Sequence, residues 1–337
     1  MTNTYLVWLE WPEKCFRVDA EALRALRALV PTGSRIVRAR SEAAFLKSLP
    51  HATHAIVWRF SPEWFARAPR LKALATPAAG QEFVPTVGPK GVTIHFGHYH
   101  GEIMAESVAA FVLAWARGFF CSERRPGAWP RTELSEKLYE VAGTKAVIVG
   151  YGHVGRAIGA KLSSLGVEVT GLTRHGIVNG EAESLPLRRG CDSVTRSGKD
   201  SPRIAPPSEL ASLGGYASPL FNEADWLVLA LPSTTGTDDF LNAALLRKLP
   251  RRCVVVNVGR GNAVDEKALY AALKTHRLAG AYLDVRKHEP SATALEAPGY
   301  VSKLDELPNC IVMPHASAFS PHYLRRCFKE LKDDGII

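Results

Sequence analysis

Three polar residues in the last quarter of the chain have side chains suited to carbonyl reduction. Arg260 lies in NVGRGNAVDEKAL, Glu289 in GAYLDVRKHEP and His315 in PNCIVMPHASA, each at or just beyond a strand-like run. Reducing a ketone that sits beside a carboxylate requires a cation to hold the substrate and polarise its carbonyl. It also requires an acid for the forming alkoxide and a partner that keeps that acid charged. Arg260 suits the first task, being always protonated and able to make forked hydrogen bonds. His315 suits the second, because imidazole titrates near neutrality. Glu289 suits the third, since a neighbouring carboxylate raises a histidine pKa and orients the ring. Taken singly, each residue reads better as a loop charge, a turn residue or a core residue than as a catalytic one. Their weight comes from standing together downstream of a second feature.

That feature is KAVIVG-YGHVGRAIGAKLSSLG, in which Gly150, Gly152 and Gly155 form GxGxxG directly after a strand and at the mouth of a helix. The first glycine permits the tight turn, the second admits a pyrophosphate to the backbone, and the third allows close helix–strand packing. Backbone N–H groups near His153 and Val154 then face an anion at a helix N-terminus. The following strand, VEVTGL, completes a βαβ unit, which is the context that makes the glycine spacing informative. An NAD site places an acid at the end of that strand, about 20 residues beyond the glycines. Thr173 stands there instead, followed by Arg174 and His175. A hydroxyl beside a guanidinium suits a 2′-phosphate, so NADP(H) is favoured over NAD(H).

These groups must be carried by a framework, and the sequence predicts an α/β one. In the first hundred residues YLVWLE, RIVRA, HAIVW and LKALA read as strands, with EALRALRALV and EAAFLKSL as amphipathic helices between them. Gly101 to Phe120 reads as one long helix, apolar nearly all round and therefore buried. A second series follows: KAVIVG, VEVTGL, DWLVLA, CVVVNV, GAYLDV and CIVMP, continuous in Val, Ile and Leu as buried parallel strands are. The stretch from 175 to 215 is rich in Gly, Ser and Pro and reads as a loop insertion.

Bulk properties narrow the partners. With 337 residues the chain is long enough for two cores, and 46% hydrophobic with 22% charged residues is ordinary for a globular protein. The formal charge of +9 is scattered rather than blocked. It fits a solvated surface or anionic small ligands, and no nucleic-acid motif accompanies it. The six cysteines form no CxxC pair, which fits a reducing cytoplasm. The N-terminal run is broken by Glu10 and Glu13, so no signal peptide is expected, and the apolar run Ser107 to Ala116 is too short to span a bilayer. His95, His98 and His100 would lie near one another in an extended segment, but no carboxylate or cysteine partner is evident, and no metal is expected.

In its motifs the chain resembles the D-isomer-specific 2-hydroxyacid dehydrogenase family. The resemblance runs through AAG at Ala78–Gly80, AE at Ala105–Glu106, GYGHVG, LPSTTGT at Leu231–Thr237, NVGRG, LDVxxxEP at Leu283–Pro290 and PHASA. It implies that Arg260 binds the 2-keto acid, that His315 is the general acid/base and that Glu289 is its partner. It also implies that Asp284, Pro232, Ser233, Thr237, Val258 and Gly259 line the cofactor. The substrate carboxylate would meet backbone N–H groups at Gly80 and Gln81, where Gln81-Glu82 replaces the family's more frequent Val-Asp. Arg59, in VWRF, is a further substrate candidate, and similar VW segments occur in the NADPH-preferring glyoxylate/hydroxypyruvate reductase branch.

The family fold implies two doubly wound parallel-sheet domains, a Rossmann cofactor domain inserted into a flavodoxin-like substrate domain. On this chain the substrate domain would be residues 1–103 and 317–337, and the cofactor domain 104–316. A homodimer is usual in the family. A dinucleotide-sensing, corepressor-like binding protein on the same fold is the alternative, because such relatives can retain all three residues.

Overall fold

The computed structural model describes residues 2–120, 127, 129–173, 176–179, 219–289 and 303–337. Among these the chain divides into two compact units. One runs to His100 and takes in Phe319–Ile337; the other covers the described residues from Gly101 to Ala318.

The first unit is built on a five-stranded sheet: β1 (Thr4–Trp8), β2 (Arg35–Arg38), β3 (His54–Val57), β4 (Ala73–Thr76) and β5 (Thr93–Phe96). The order is β2-β1-β3-β4-β5 and every pairing is parallel. Four of these strands are legible as apolar runs. The fifth, TIHF, is short and half polar, and sequence periodicity does not reveal it. Helix α1 (Ala20–Leu29) starts where Asp19 accepts a hydrogen bond from the Ala22 N–H (2.8 Å), and it buries Ala22 and Leu26. Helix α2 (Glu42–Ser48) is capped the same way by Ser41 and buries Phe45. The core gathers Leu6, Phe45, Leu49, Trp64 and Leu74.

The last helix of the chain, α9 (Tyr323–Asp333), belongs to this unit. Its Glu330 accepts from the His98 N–H (2.9 and 3.1 Å) and lies 3.1 Å from His95 Nε2, while Asp334 lies 3.8 Å from His95 Nδ1. The carboxylate partners that the histidine segment lacks in sequence are thus supplied more than two hundred residues later. Both ring nitrogens of His95 face a carboxylate, which ties β5 to the C-terminal helix, as the His98 N–H ties the segment after it.

Helix α3 (His100–Ala116) belongs to the second unit from Gly101 onward. It stops four residues short of the expected Phe120, because Gly118 takes a left-handed conformation (φ 68°) and ends it. It is also not buried all round. Val108, Phe111 and Val112 pack into the core, whereas Glu102, Glu106, Ala110 and Leu113 form an exposed stripe at helical spacing.

The second sheet has seven strands: β6 (Lys145–Val149), β7 (Glu168–Thr173), β8 (Gly176–Asn179), β9 (Trp226–Leu229), β10 (Val254–Asn257), β11 (Gly280–Leu283) and β12 (Cys310–Val312), in the order β12-β11-β10-β9-β6-β7-β8. All pair in parallel except β8, which runs antiparallel to β7 with Thr173 opposite Gly176. The expected 175–215 loop therefore begins with an edge strand; its remaining residues lie outside those described. Short helices α4 (Arg131–Ser135), α6 (Pro219–Asn222) and α7 (Ala243–Leu246) accompany the longer α5 (His153–Ser163) and α8 (Glu266–Lys274).

The continuous apolar strands have a direct cause. Val147, Leu227 and Val255 face one core with Leu269 and Leu273 of α8, while Ile148, Val228 and Val256 face the other with α3 and α5. A sheet covered on both faces leaves no polar side to alternate with. The strand order reverses between β6 and β9, and ligands of open α/β sheets bind beyond the carboxyl ends at such a point.

Candidate active site

The turn after β6 is built around Gly150, whose φ of 92° is costly for any other residue. A Cβ there would also stand 2.5 Å from the Ala230 carbonyl oxygen at the end of β9. Gly152 caps α5 without any side chain. A Cβ on Gly152 would meet nothing within 4 Å, whereas one on Gly155 would lie 2.4 Å from the Gly150 carbonyl oxygen. The three glycines thus divide as the motif predicts, two for close packing and one facing open space at a helix N-terminus. His153 and Val154 begin that helix, whose first-turn N–H groups have no acceptor within it. This cradle fits a dinucleotide pyrophosphate. Thr173 ends β7 and is half-buried; Arg174 lies outside the described residues.

Beyond β9 the Pro232–Thr237 segment is locked by one hydroxyl. The buried Thr237 donates to the Pro232 and Thr234 carbonyls (2.8 and 2.9 Å) and accepts from the Thr234 N–H (3.1 Å). Ser233 lies exposed on that turn. Asn262 reaches it from the next loop, donating to Asp238 (2.6 Å). In that loop Val258 is buried, and the Gly259 N–H donates to the Asn257 side chain (3.1 Å). Asn257 in turn donates to the Arg260 carbonyl (3.2 Å). Asn257 and Asn262 went unassigned in the sequence, although their positions flanking VGRG were a usable signal. Arg260 is half-buried, and its guanidinium donates to the Gly259 carbonyl (3.0 Å).

His315 lies beyond β12, three residues past its end, and adopts φ 55°, a left-handed conformation unusual for a residue with a side chain. Asp284, at the end of β11, enforces it. Its carbonyl accepts from the His315 N–H (2.8 Å), and its buried carboxylate accepts from the Ala316 and Ser317 N–H groups (2.9 Å each) and from the Ser317 hydroxyl. In the structure the Asp284 carboxylate holds the histidine loop.

His315 Nδ1 lies 2.9 Å from Glu289 Oε2. That hydrogen bond raises the His315 pKa above the ordinary imidazole value, against the opposing effects of burial and of the Arg260 charge. Burial pushes the Glu289 carboxyl up, but the bond and charge of His315, the Arg286 N–H and Arg260 outweigh it and leave it below the usual range. The pair is therefore biased toward imidazolium and carboxylate, with Arg260 close enough to act on both. The second unit brings together Arg260, Glu289 and His315.

In the first unit, Gly80 and Gln81 lie on the bend after β4, half-buried and exposed respectively. Arg59 is exposed; it bonds Glu42 of α2 (3.1 Å) and rests 5.1 Å over the Trp8 ring. Its guanidinium is directed to the surface of its own unit.

A glycine cradle at the switch point of a parallel sheet, with an imidazole–carboxylate pair and an arginine at neighbouring strand ends, defines a dinucleotide-dependent oxidoreductase. Residues 109–195 and 209–317 match the family model for the NAD binding domain of D-isomer specific 2-hydroxyacid dehydrogenases. The chain is 30% identical to a glyoxylate/hydroxypyruvate reductase B of Pectobacterium carotovorum over 75% of this chain and 71% of the relative. It is 28% identical to a glyoxylate reductase of Thermococcus kodakarensis over 76% and 70%. The solved D-isomer specific 2-hydroxyacid dehydrogenase of Xanthobacter autotrophicus Py2, in complex with NADPH and MES, superposes with a TM-score of 0.67 at 25% identity, covering 98% of this chain and 94% of that one. The chain belongs to the D-isomer specific 2-hydroxyacid dehydrogenase family, and is a nicotinamide-dependent oxidoreductase of 2-hydroxy acids. Among the described residues no helix is long and apolar enough to cross a membrane.

Proposed function

We propose that this protein is an NADPH-dependent reductase of small 2-keto acids, with glyoxylate and hydroxypyruvate as the first substrates to test. The observation that carries the chemistry is the 2.9 Å contact between His315 and Glu289 beside the Arg260 loop. The substrate class is supported by the relatives named as glyoxylate and glyoxylate/hydroxypyruvate reductases. The bound dinucleotide supplies the hydride. Arg260 binds the substrate carboxylate and draws electron density toward the carbonyl oxygen. In the first unit, Gly80 and Gln81 are candidates for substrate binding through their backbone N–H groups. His315, charged and oriented by Glu289, gives the Nε2 proton to that oxygen as it becomes an alkoxide. Gly150, Gly152, His153, Val154 and Gly155 hold the pyrophosphate, and Pro232, Ser233, Thr237, Val258 and Gly259 line the rest of the dinucleotide.

Preference for NADPH rests on Thr173 and Arg174 standing where an NAD site has an acid. A homodimer is part of this reading. Leu113, Phe119 and Trp129 leave large apolar side chains exposed on the second unit, which a second copy would cover. We assign the cofactor domain to residues 104–316 and the substrate domain to 1–103 and 317–337. The deciding experiment follows NADPH and NADH absorbance with glyoxylate, hydroxypyruvate and larger 2-keto acids, and repeats it with Arg174→Ala. Turnover with a small keto acid, and a loss in that variant much greater for NADPH than for NADH, is the expected result. Tight dinucleotide binding without turnover of any 2-keto acid would overturn the enzymatic reading.

A further inference from the structure

Arg286 is a charged residue that the reaction scheme above leaves without a task. It is 8% exposed, follows the end of β11, and stands three residues before Glu289. Its Nη1 donates to both carboxylate oxygens of Asp305 (3.1 and 3.3 Å), and its Nε lies 3.6 Å from Glu266 of α8. Burying a guanidinium is costly unless carboxylates surround it. Two carboxylates from separate parts of the chain lie against it here, Asp305 by hydrogen bonds and Glu266 as an ion pair.

The backbone of the same residue faces the reacting pair. The Arg286 N–H donates to Glu289 Oε1 (3.1 Å), which leaves Oε2 directed at His315. Glu266 fixes the turn a second time, accepting from the Lys287 N–H (2.8 Å). The loop that carries Arg260 seats on this turn as well. A Cβ on Gly261 would fall 1.8 Å from the Arg286 carbonyl carbon and 1.9 Å from its oxygen. Arg286 is therefore gripped through its side chain while its main chain meets the segments of both Glu289 and Arg260.

We propose that Arg286 is a positioning residue for the reaction, anchored by Asp305 and Glu266, which holds Glu289 in line with His315. This inference rests on the acid–base assignment of His315. Without the anchor the turn gains freedom, the Glu289 oxygen wanders, and a small misplacement costs rate heavily.

The test compares Arg286→Met, Arg286→Lys, Asp305→Asn and His315→Ala by keto-acid reduction across pH, with NADPH binding followed by fluorescence. Arg286→Met should lower kcat by about tenfold to a hundredfold. NADPH affinity should be little changed, and the alkaline fall in kcat should begin at lower pH, because His315 has lost its aligned carboxylate. Arg286→Lys should recover part of the rate, since a point charge cannot fork between two carboxylates. Asp305 is exposed and its substitution spares the core, so Asp305→Asn tests the anchor even if Arg286→Met fails to fold; it should shift the pH profile in the same direction, by less. An unshifted profile with wild-type kcat in Asp305→Asn and in any Arg286 variant that folds would overturn the proposal while leaving His315→Ala inactive. Retained turnover in His315→Ala would instead remove the acid–base assignment, and this proposal with it.

Discussion

Asp284 holds the His315 loop at three successive N–H groups, its carbonyl taking that of His315 at 2.8 Å and its carboxylate those of Ala316 and Ser317 at 2.9 Å. A residue at the end of β11 thereby sets the backbone of the loop after β12. It holds the imidazole at a φ it would not adopt unaided. Replacing Asp284 with Asn removes the charge that both backbone N–H groups meet at Oδ1 and sets an amide against the Ser317 hydroxyl at the position of Oδ2. Hydrogen bonds to a charged acceptor contribute about 1.5–3 kcal/mol. A stability loss of that order is expected in denaturant titration, together with a fall in kcat.

His315→Ala should reduce turnover by roughly 10²–10⁴-fold, the usual contribution of a positioned general acid. Dinucleotide affinity should remain close to that of the parent, because the pyrophosphate cradle lies on β6 and α5. Steady-state kinetics beside a fluorescence titration would separate the two; unchanged kcat would refute the role.

The pH dependence has a definite sign. The raised His315 pKa keeps the imidazolium present above the ordinary histidine range. Keto-acid reduction should therefore hold through neutrality and fall as pH rises through that raised value, while oxidation of the hydroxy acid should rise over the same interval. Glu289→Gln removes the carboxylate whose charge and charge-assisted bond raise the pKa, so the limb should move to lower pH in both directions of assay. A profile that did not move would detach Glu289 from the titration.

Arg260→Ala should act mainly through the keto acid. Truncating one member of a hydrogen-bonded charge pair costs about 2–5 kcal/mol. kcat/KM for the keto acid should fall accordingly, and Arg260→Lys should recover only part of it, a lysine having no fork.

Much of this arrangement was legible because its causes are local. GxGxxG between a strand and a helix identifies itself, and two-sided burial writes β6, β9 and β10 as unbroken apolar runs. The misses have a common cause in contacts distant along the chain. β5 is a strand because β4 pairs with it, although TIHF alternates poorly. β8 pairs antiparallel with β7 inside a stretch whose composition reads as loop. Asp284 gives no hint of its partners Ala316 and Ser317, which lie more than thirty residues on. His95 gives no hint of Glu330, which the fold of the first unit brings to it. The exposed stripe on α3 went unseen because Ala110 and Leu113 are apolar in composition while facing outward.

Gly150→Ala tests the cradle. The φ of 92° and the 2.5 Å approach to the Ala230 oxygen leave no room for a methyl group. Strain of this kind costs of order 1–3 kcal/mol. Thermal unfolding should report at least that loss, with dinucleotide binding weakened in the same variant.

Arg260, Glu289 and His315 follow β10, β11 and β12, which are consecutive neighbours in the sheet. Adjacent strands are spaced about 4.8 Å apart. The sheet therefore acts as a ruler: on the proposed reading, cation and acid originate roughly two strand spacings apart, a scale suited to a molecule of a few carbons. That scale is fixed by backbone hydrogen bonding and cannot be lengthened by exchanging side chains. Selection for a longer keto acid would have to alter the parts of the protein outside these three strands.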